Sequence, residues 1–252
     1  MCVSAIIPTY NEERELEEAL TSVIWCDEVI IVDSQSTDRT REVARSRGAK
    51  VVDAPKPEQG EPFDHLRQLG IDAATNDLVL FIDADERHPK ALQERLQELK
   101  EQPTEDIGVV RAPILNYLGN KQLSGGLQSL GYTPTLLNPE KVELKKKVHS
   151  FLEYDEDDAY DLEPDPELAV RHQLAESLYE HWQAQRRYAK IAGSNREFKL
   201  WKLFLSPPWG IYHHVIENQG WKDGFIGIGI GICYGWFLFE SQLRGALSKF
   251  YF

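Results

Sequence analysis

The chain has little sulfur and no long uncharged segment, and both shortages exclude classes of protein. Its 252 residues include only three cysteines, which are widely spaced and lack metal-ligand spacing: Cys2, Cys26 and Cys233. A disulfide scaffold is therefore excluded, and reduced thiols in a cytosolic setting are expected. The uncharged segment 224–239 is shorter than the ~20 residues of a membrane-spanning helix. Multiple membrane spans are not expected either.

The chain also has no excess of positive charge. Its net charge is −13, whereas a nucleic-acid binder carries a basic face. A nucleotide ligand remains compatible, because a metal ion can supply positive charge locally. The length suits one large domain, or one domain and an appendage. Residues 3–7 are apolar and have neither a basic segment nor a cleavage site beside them, so we expect a first strand and not a signal peptide.

Short apolar runs alternate with helical periodicity over the first 110 residues. The predicted strands are 3–7, 29–32, 51–52, 78–82 and 107–111, and the predicted helices are 12–24, 38–47, 63–74 and 89–102. This alternation predicts a parallel, doubly wound sheet. Beyond it we expect irregular segments at 112–138, an acidic surface loop at 153–167 and a long helix at 168–192.

Polar segments follow three of these predicted strands. Residues 8–12 follow the first strand, residues 33–38 the second, and Asp83-Ala84-Asp85 the apolar run 78–82. Open α/β sheets bind ligands outside the carboxyl ends of their strands, so the three segments are expected to converge. Two carboxylates separated by one small residue suit a hard divalent cation and the phosphate oxygens that it bridges. Each segment alone also has a simpler interpretation, as a turn, a helix cap or a solvated loop.

Together and in this order, the three segments resemble the motifs of glycosyltransferase family 2. The matching stretches are Ile7-Pro8-Thr9-Tyr10-Asn11-Glu12, Val32-Asp33-Ser34-Gln35-Ser36-Thr37-Asp38 and Phe81-Ile82-Asp83-Ala84-Asp85-Glu86. The chain looks most similar to the branch that adds sugars in lipopolysaccharide core synthesis, of the β-1,4-glucosyltransferase type. The resemblance implies an α/β fold of the GT-A type: a Rossmann-like, mostly parallel sheet that binds nucleotide-diphosphate sugars. A GT-A domain is expected at 1–192, with a nucleotide-sugar half at 1–110 and an acceptor half at 111–192. A helical, membrane-associating extension is expected at 193–252.

The resemblance also implies the roles of individual residues. A nucleotide-sugar site would be lined by Pro8, Thr9, Tyr10, Glu12, Asp33, Ser36, Arg67, Asp83, Ala84 and Asp85. In it, Asp33 would accept a hydrogen bond from a ring N–H of uracil or guanine, and Arg67 would lie near the base or diphosphate. Asp85 would ligate Mn²⁺ or Mg²⁺, while Asp83 would face the ribose and the waters of the metal. His172 would contact the metal or the diphosphate, although a lone histidine also suits a structural role.

A carboxylate general base is expected to take the proton of the acceptor hydroxyl. The branch tends to carry Val-His-Glu where this chain has Val148-His149-Ser150, and the nearest carboxylates are Glu153 and Asp155. We expect Glu153 to be the base; the alternative is that this acidic tract is a solvated loop. The metal would neutralise the leaving nucleoside diphosphate, and a single displacement would invert the anomeric configuration of the sugar.

After residue 185 the composition becomes basic and aromatic. The cations are Arg186, Arg187, Lys190, Arg196, Lys199 and Lys202, and the large apolar residues among or close after them are Trp201, Phe204, Leu205 and Trp209. Beside the uncharged segment 224–239, this composition predicts an interfacial or re-entrant helix at the cytoplasmic face of the cell membrane. A buried core helix or a dimer interface is the alternative. The expected acceptor is a lipid-linked or envelope glycan, and no nucleic-acid partner is expected.

Two other functions remain open. A nucleotidyltransferase has a similar fold and metal, but it would carry a Gly-rich loop with Lys or Arg after its first strand. This chain has Pro8-Thr9-Tyr10-Asn11-Glu12 there, which counts against that function. A non-catalytic nucleotide-sugar-binding scaffold is harder to exclude from the sequence, because it needs the same donor motifs and no base.

Overall fold

The computed structural model describes residues 1–56, 64–101, 108–127, 131–144, 152–194 and 198–247. The chain forms two compact units. The sheet unit comprises Met1–Pro57, Pro62–Ile114 and Gly131–His172, and the C-terminal unit comprises Glu58–Glu61, Leu115–Leu130 and Gln173–Phe252. The predicted domain boundary after residue 192 stays a prediction.

Four parallel strands form one side of the main sheet. They are β1 (Val3–Thr9), β2 (Glu28–Asp33), β3 (Lys50–Asp53) and β4 (Leu78–Phe81), in the order β3-β2-β1-β4. Ile6 pairs with Ile30 on one side and with Phe81 on the other. All three are buried, as expected of parallel strands that are covered on both faces. The predicted parallel arrangement is confirmed.

Helices on both faces enclose these strands. They are α1 (Leu16–Ser22), α2 (Thr40–Ser46), α3 (Asp64–Ala73) and α4 (Lys90–Lys100). Leu16 and Leu92 belong with Leu80 to one core cluster. Leu66 belongs with Phe81 to another. Because successive strand residues point to opposite faces, neighbouring residues of β4 serve both clusters, and the sheet is doubly wound as predicted.

Side chains and turns set the first residues of α1 and α2. α1 begins at Leu16 and not at residue 12. Residues 13–15 form a turn before it, in which the Glu12 carbonyl accepts hydrogen bonds from the backbone N–H groups of Glu15 and Leu16. α2 begins at Thr40, whose amide and hydroxyl both donate to Asp38. Short acidic side chains satisfy backbone donors in this way at helix starts.

Two longer antiparallel strands extend the sheet beyond β4. The remaining strands are β5 (Glu86–Arg87), β6 (Val109–Leu118), β7 (Lys121–Gln122), β8 (Gly131–Leu137), β9 (Glu143–Leu144), β10 (Leu152–Glu153), β11 (Ala159–Asp161) and β12 (Val170–Ala175). β8 lies between β4 and β6 and is antiparallel to both. The expectation of irregular structure at 112–138 is therefore wrong. Proline weakens a strand pattern because it lacks an amide donor, but Pro113 and Pro134 both lie in the β6–β8 ladder.

The sequence-based expectations for 153–192 also need correction. The acidic tract 153–167 is not one surface loop, because β10 pairs with β9 in a separate sheet and β11 runs parallel to β6. The predicted helix 168–192 is wrong in its first part, where β12 pairs with β5. Only α5 (Leu178–Ser194) is helical there. Pairing with distant strands outweighs the local helical pattern, since Val170 is buried in the same core cluster as Leu80.

Helices dominate the C-terminal unit. After α5 come α6 (Leu200–Tyr212), a π-helical turn (His213–Glu217) and α7 (Phe225–Leu247). Gly235 of α7 lies close to Ile211, whereas Gly231, one turn earlier, lies close to Val215. These contacts show that α6 and α7 form an antiparallel hairpin. By length and composition alone, α7 is long and apolar enough to cross a membrane.

Candidate functional site

A buried carboxylate joins the ends of β1 and β2. Asp33, the last residue of β2, is fully buried. Its Oδ1 accepts hydrogen bonds from Thr9 Oγ1 at 3.2 Å and from Ser36 Oγ at 2.5 Å. Its Oδ2 accepts from the Ser36 amide at 3.0 Å, and Arg41 Nε lies 3.6 Å away. Because a carboxylate offers about four lone pairs, these three hydrogen bonds do not use the full acceptor capacity of Asp33.

The loops after β1 and β2 are bound to one another. The backbone N–H of Asn11 donates to Ser36 Oγ at 2.9 Å. The side-chain Oδ1 of Asn11 accepts a hydrogen bond from the backbone N–H of Thr37 at 2.8 Å. Asn11 adopts a left-handed φ of +59°, which asparagine tolerates better than most residues. The structure therefore brings together the two loops that the sequence placed at one sheet edge.

Three more predicted residues lie on the β1 side of this edge. Tyr10 is 39% exposed, and the Lys56 ammonium lies 5.1 Å from its ring centroid. The Glu12 amide donates to Thr40 Oγ1 at 2.8 Å, which ties the loop to the start of α2. Pro8 is partly buried within β1. The Tyr10 ring is thus the exposed flat surface of this loop.

Beyond the end of β4, Arg67 of α3 binds Asp83. Arg67 Nη2 donates to Asp83 Oδ1 at 2.7 Å, and its guanidinium carbon lies 5.5 Å from the Phe81 ring centroid. The Asp83 amide donates to Glu86 Oε2 at 3.0 Å, which closes a tight turn around the buried Ala84. Burial and the nearby charge of Asp83 raise the pKa of Glu86 to about 8.

His172 of β12 lies beside Asp85. The pairing of β12 with β5 sets His172 opposite Glu86 in the ladder, and its Nε2 lies 3.4 Å from Asp85 Oδ2. Burial alone would lower the pKa of His172, but Asp85, Glu86 and Asp83 outweigh burial and raise that pKa to about 9. Three acidic side chains thus raise the pKa of one imidazole.

The donor atoms suit a divalent cation that is held only partly by protein. Mg²⁺ is usually bound through one or two carboxylates together with phosphate oxygens and waters, and carboxylate and imidazole both suit first-row metals. Within the described ranges, no three His, Cys, Asp or Glu side chains form a complete metal shell. Asp85 and His172 would therefore supply two positions, and a ligand diphosphate with waters the rest. The proton of His172 would leave on binding, because a ligating imidazole is neutral.

Arg87, which the sequence did not reveal, holds the turn after β4. Its Nη1 donates to the carbonyls of Ala84 at 2.7 Å and Glu86 at 2.8 Å. Its Nη2 donates to Glu15 Oε2 at 2.6 Å, and its Nε donates to Glu18 Oε2 at 2.9 Å. The turn is thereby tied to the region of α1. An arginine after an acidic turn gives no signal by itself, because its partners are distant along the chain.

The predicted base lies in the small separate sheet. Glu153 of β10 pairs with Glu143 of β9 and is partly buried. Asp155 accepts a hydrogen bond from the Asp157 amide at 3.1 Å and caps a short 3₁₀ turn. Residues 148–150 lie outside the described residues. The catalytic role of Glu153 stays a prediction.

Comparisons relate the chain to known proteins. The model of glycosyl transferase family 2 matches residues 4–151. A match of 44% identity over 96 residues to an uncharacterised glycosyltransferase of Rickettsia bellii covers 38% of this chain and 31% of that relative. The lipopolysaccharide core biosynthesis glycosyltransferase LpsC of Rhizobium meliloti is 28% identical, over 89% of this chain and 84% of LpsC. The matched region spans about a third of the rickettsial relatives.

Among solved structures, the chain is similar to glucosyl-3-phosphoglycerate synthase of Mycobacterium tuberculosis. Its complex with Mn²⁺, uridine diphosphate and glucosyl-3-phosphoglycerate matches with a TM-score of 0.36 at 27% identity, over 47% of this chain and 44% of that one. The sequence match to the family covers more than half of the chain, and it includes the ends of β1, β2 and β4. The chain belongs to glycosyl transferase family 2, as its motifs predicted.

Proposed function

We propose that this chain is a metal-dependent inverting glycosyltransferase. It transfers a sugar from a nucleotide-diphosphate sugar to a hydroxyl of a lipid-linked or envelope-glycan acceptor. The observation that carries the proposal is the set of hydrogen bonds around Asp33 at the β1 and β2 ends, beside the Arg67–Asp83 pair after β4, in a family 2 chain. The likeness to LpsC over most of both chains supports an envelope acceptor.

The ends of β1 and β2 are proposed to hold the base and ribose. Asp33 is fully buried, so the loops that cover it would have to open for its Oδ2 to accept the ring N–H of uracil or guanine. Thr9 and Ser36 would keep the carboxylate in place. The exposed Tyr10 ring offers a face on which the base stacks. Pro8 and Glu12 border the same strand end.

The turn after β4 is proposed to hold the ribose and diphosphate. Arg67 holds Oδ1 of Asp83, so the second carboxylate oxygen would be left for the ribose and for the waters of a bound metal. Ala84 adds no bulk between the two aspartates. Asp85 and His172 would hold Mn²⁺ or Mg²⁺. When bound, the cation would neutralise charge on the leaving nucleoside diphosphate.

The transfer is proposed as one displacement at the anomeric carbon of the sugar. The acceptor oxygen bonds to that carbon while the bond from the carbon to the diphosphate oxygen breaks. Glu153 takes the proton of the acceptor hydroxyl. The acceptor attacks from the face opposite the leaving nucleoside diphosphate, so the configuration inverts.

The proposed location is the cytoplasmic face of the cell membrane. Residues 1–192 would form the GT-A domain, with the nucleotide-sugar half at 1–110 and the acceptor half at 111–192. Residues 193–252 would attach it to the membrane, and their basic and aromatic composition supports this. A lipid-linked acceptor would then reach the enzyme by diffusion in the membrane plane.

A thermal-shift screen tests the donor proposal. Uridine, guanosine and other nucleoside diphosphates, and their sugars, are added with and without Mn²⁺. A bound ligand stabilises the folded state by mass action, by about 2.7 kcal/mol at one hundred times its Kd. We expect one nucleotide to raise the melting temperature, and to do so more with Mn²⁺. If no nucleotide changes the melting temperature, the proposal is wrong.

Products separate the enzyme from its two alternatives. A glycosyltransferase releases nucleoside diphosphate from a nucleotide sugar only when an acceptor, such as a bacterial lipid extract, is present. A binding scaffold would show the same thermal shift without release. A nucleotidyltransferase would instead join a sugar phosphate to the nucleotidyl group of a nucleoside triphosphate and release pyrophosphate from that triphosphate.

A further inference from the structure

The exposed side of α7 carries no charged residue. Its exposed side chains, which we call the α7 stripe, are Phe225, Ile228, Ile232, Trp236, Leu243 and Leu247. Their spacing of three, four and seven places them on one face of a helix. Phe225 alone is 93% exposed. In a helix at the surface of a soluble protein this face would be polar, so the α7 stripe needs an apolar partner.

α6 exposes a second uncharged face. Its members, which we call the α6 stripe, are each more than half exposed: Leu200, Trp201, Phe204, Leu205, Trp209 and Tyr212. Apolar groups of this size mark interaction surfaces when they are contiguous and not scattered singly. Trp and Tyr are also the residues that collect at the interface between membrane and water.

The charge around these stripes favours anionic lipid over a second copy of the chain. Between residues 186 and 222 there are seven Lys and Arg but only two Glu, in a chain whose net charge is −13. Clustered cations beside an amphipathic helix are attracted to the anionic lipids of the cytoplasmic leaflet. Contact between two identical copies of this region would place cations against cations.

α5 packs along α7, which argues against α7 crossing the bilayer. Leu178 lies against Gly229, and Arg186 Nε lies 3.1 Å from Glu240 Oε2 two to three turns further along both helices. α5 therefore runs beside α7 in the same direction. The exposed polar residues of α5 are Glu180, Gln183, Arg187 and Lys190. Because charged side chains are costly in hydrocarbon, α7 cannot enter the bilayer core end to end while α5 stays packed against it.

We propose that the α6–α7 hairpin inserts into one leaflet of an anionic membrane, with α7 lying in the membrane plane. The α6 and α7 stripes contact the acyl chains, and α5 stays on the aqueous side. This inference rests on the proposed membrane location and deepens it. It is independent of the proposed donor site, so nucleotide binding measured in the same variants shows which of the two has failed.

Flotation with vesicles tests the surface. Vesicles of phosphatidylcholine, with or without phosphatidylglycerol, are mixed with the full chain, with a Phe204→Glu/Ile232→Glu double variant and with Ile24→Glu. Ile24 is a matched control, because it is 76% exposed but belongs to the sheet unit. We expect the native chain and Ile24→Glu to float with anionic vesicles, and the double variant to bind at least about tenfold more weakly. All three should keep the same nucleotide-dependent thermal shift. Equal binding by all three, or none by the native chain, overturns the proposal.

Labelling from outside the vesicles tests whether α7 lies in one leaflet or crosses the membrane. Single cysteines are placed before α7 and directly after Leu247, as Lys222→Cys and Ser248→Cys, in a background of Cys2→Ser, Cys26→Ser and Cys233→Ala. We expect a membrane-impermeant maleimide to label both positions on vesicle-bound protein. Protection of one position only would mean that α7 crosses the membrane.

A concentration-dependent dimer without vesicle binding, abolished by Phe204→Glu/Ile232→Glu, would make the stripes an interface between copies. Either result overturns the proposal.

Discussion

The carboxylates of the proposed donor site are oriented by protein donors. Thr9 and Ser36 hold Asp33, and Arg67 holds Asp83. Such contacts fix the direction of the remaining lone pairs before a ligand arrives, which reduces the ordering cost of binding. A change in one of these donors should therefore lower ligand affinity.

We expect Asp85→Asn to remove the dependence of nucleotide binding on the metal. The substitution keeps the shape of the side chain but removes the anionic oxygen that would ligate Mn²⁺. The thermal shift that Mn²⁺ adds to the nucleotide should disappear, which corresponds to a loss of at least about tenfold in metal affinity. Asp72→Asn makes the same chemical change at an exposed position of α3 and should leave that shift unaltered. A native metal dependence in Asp85→Asn would show that Asp85 is not a ligand.

Glu153→Gln should separate transfer from donor binding. Removal of a general base typically slows a reaction by about 10² to 10⁴, while the nucleotide-dependent thermal shift should stay native. Asp155→Asn is the matched control, because Asp155 already caps a 3₁₀ turn. Its rate should stay within a few fold of the native one. If Glu153→Gln transfers sugar at the native rate, another group is the base.

Several of the residues that the sequence revealed lie at the end of a local apolar run, whereas Arg67 within α3 and His172 within β12 followed from the family resemblance alone. Thr9 ends β1, Asp33 ends β2, and the turn of Asp83 follows β4. Arg87 lacks such a signal, because its hydrogen bonds reach Glu15 and depend on how the chain folds back. Contacts between distant segments therefore mark the limit of the prediction at the level of single side chains.

At the level of elements, the parallel half of the sheet was predictable. Of the antiparallel half, only the start of β6 was, because it falls within the predicted strand 107–111. β1, β2 and β4 are short buried runs followed by helical periodicity, so the local pattern is sufficient. β6 and β8 instead contain Pro113 and Pro134, which resemble loop signals, and they are held by the ladder between them. The sequence of β12 was predicted as part of the same helix as α5. Its pairing with β5 makes it a strand instead.

The packing of α7 gives a prediction at the same scale. Alanine in place of a helical glycine normally stabilises by up to about 1 kcal/mol. At Gly227, however, a Cβ would lie 1.8 Å from the carbonyl oxygen of Gly220, which is backbone and cannot rotate away. We expect Gly227→Ala to lower the free energy of unfolding by about 1–3 kcal/mol, the usual range for overpacking. Urea denaturation measures this change.

Gly229→Ala is the control for that prediction. Its Cβ would lie 2.7 Å from a terminal methyl of Leu178, a flexible side chain that can move. We therefore expect a smaller loss of stability than for Gly227→Ala. Equal effects of the two substitutions, or stabilisation by both, would contradict the close approach of Gly227 to Gly220.

Considered as a whole, the molecule contains buried histidines in both units. His88 is 2% exposed, His181 3% and His214 1%. Burial lowers the pKa of each, to about 3 for His88. In the unfolded chain a histidine titrates near 6.5. The unfolded state therefore binds more protons than the folded state below that pH, and acidification favours unfolding.

His88 should account for a measurable part of this acid sensitivity. Its stabilising contribution is complete above pH ~6.5 and falls as the pH drops toward 3, so about 2 kcal/mol is lost between pH 7 and pH 5. Neither ring nitrogen of His88 has a hydrogen-bond partner among the described residues, so His88→Phe should fold and should lack this part of the pH dependence. Urea denaturation at the two pH values gives the comparison. His213→Gln changes a partly exposed histidine and should keep the native dependence. If His88→Phe loses as much stability as the native chain, the buried histidine is not the source.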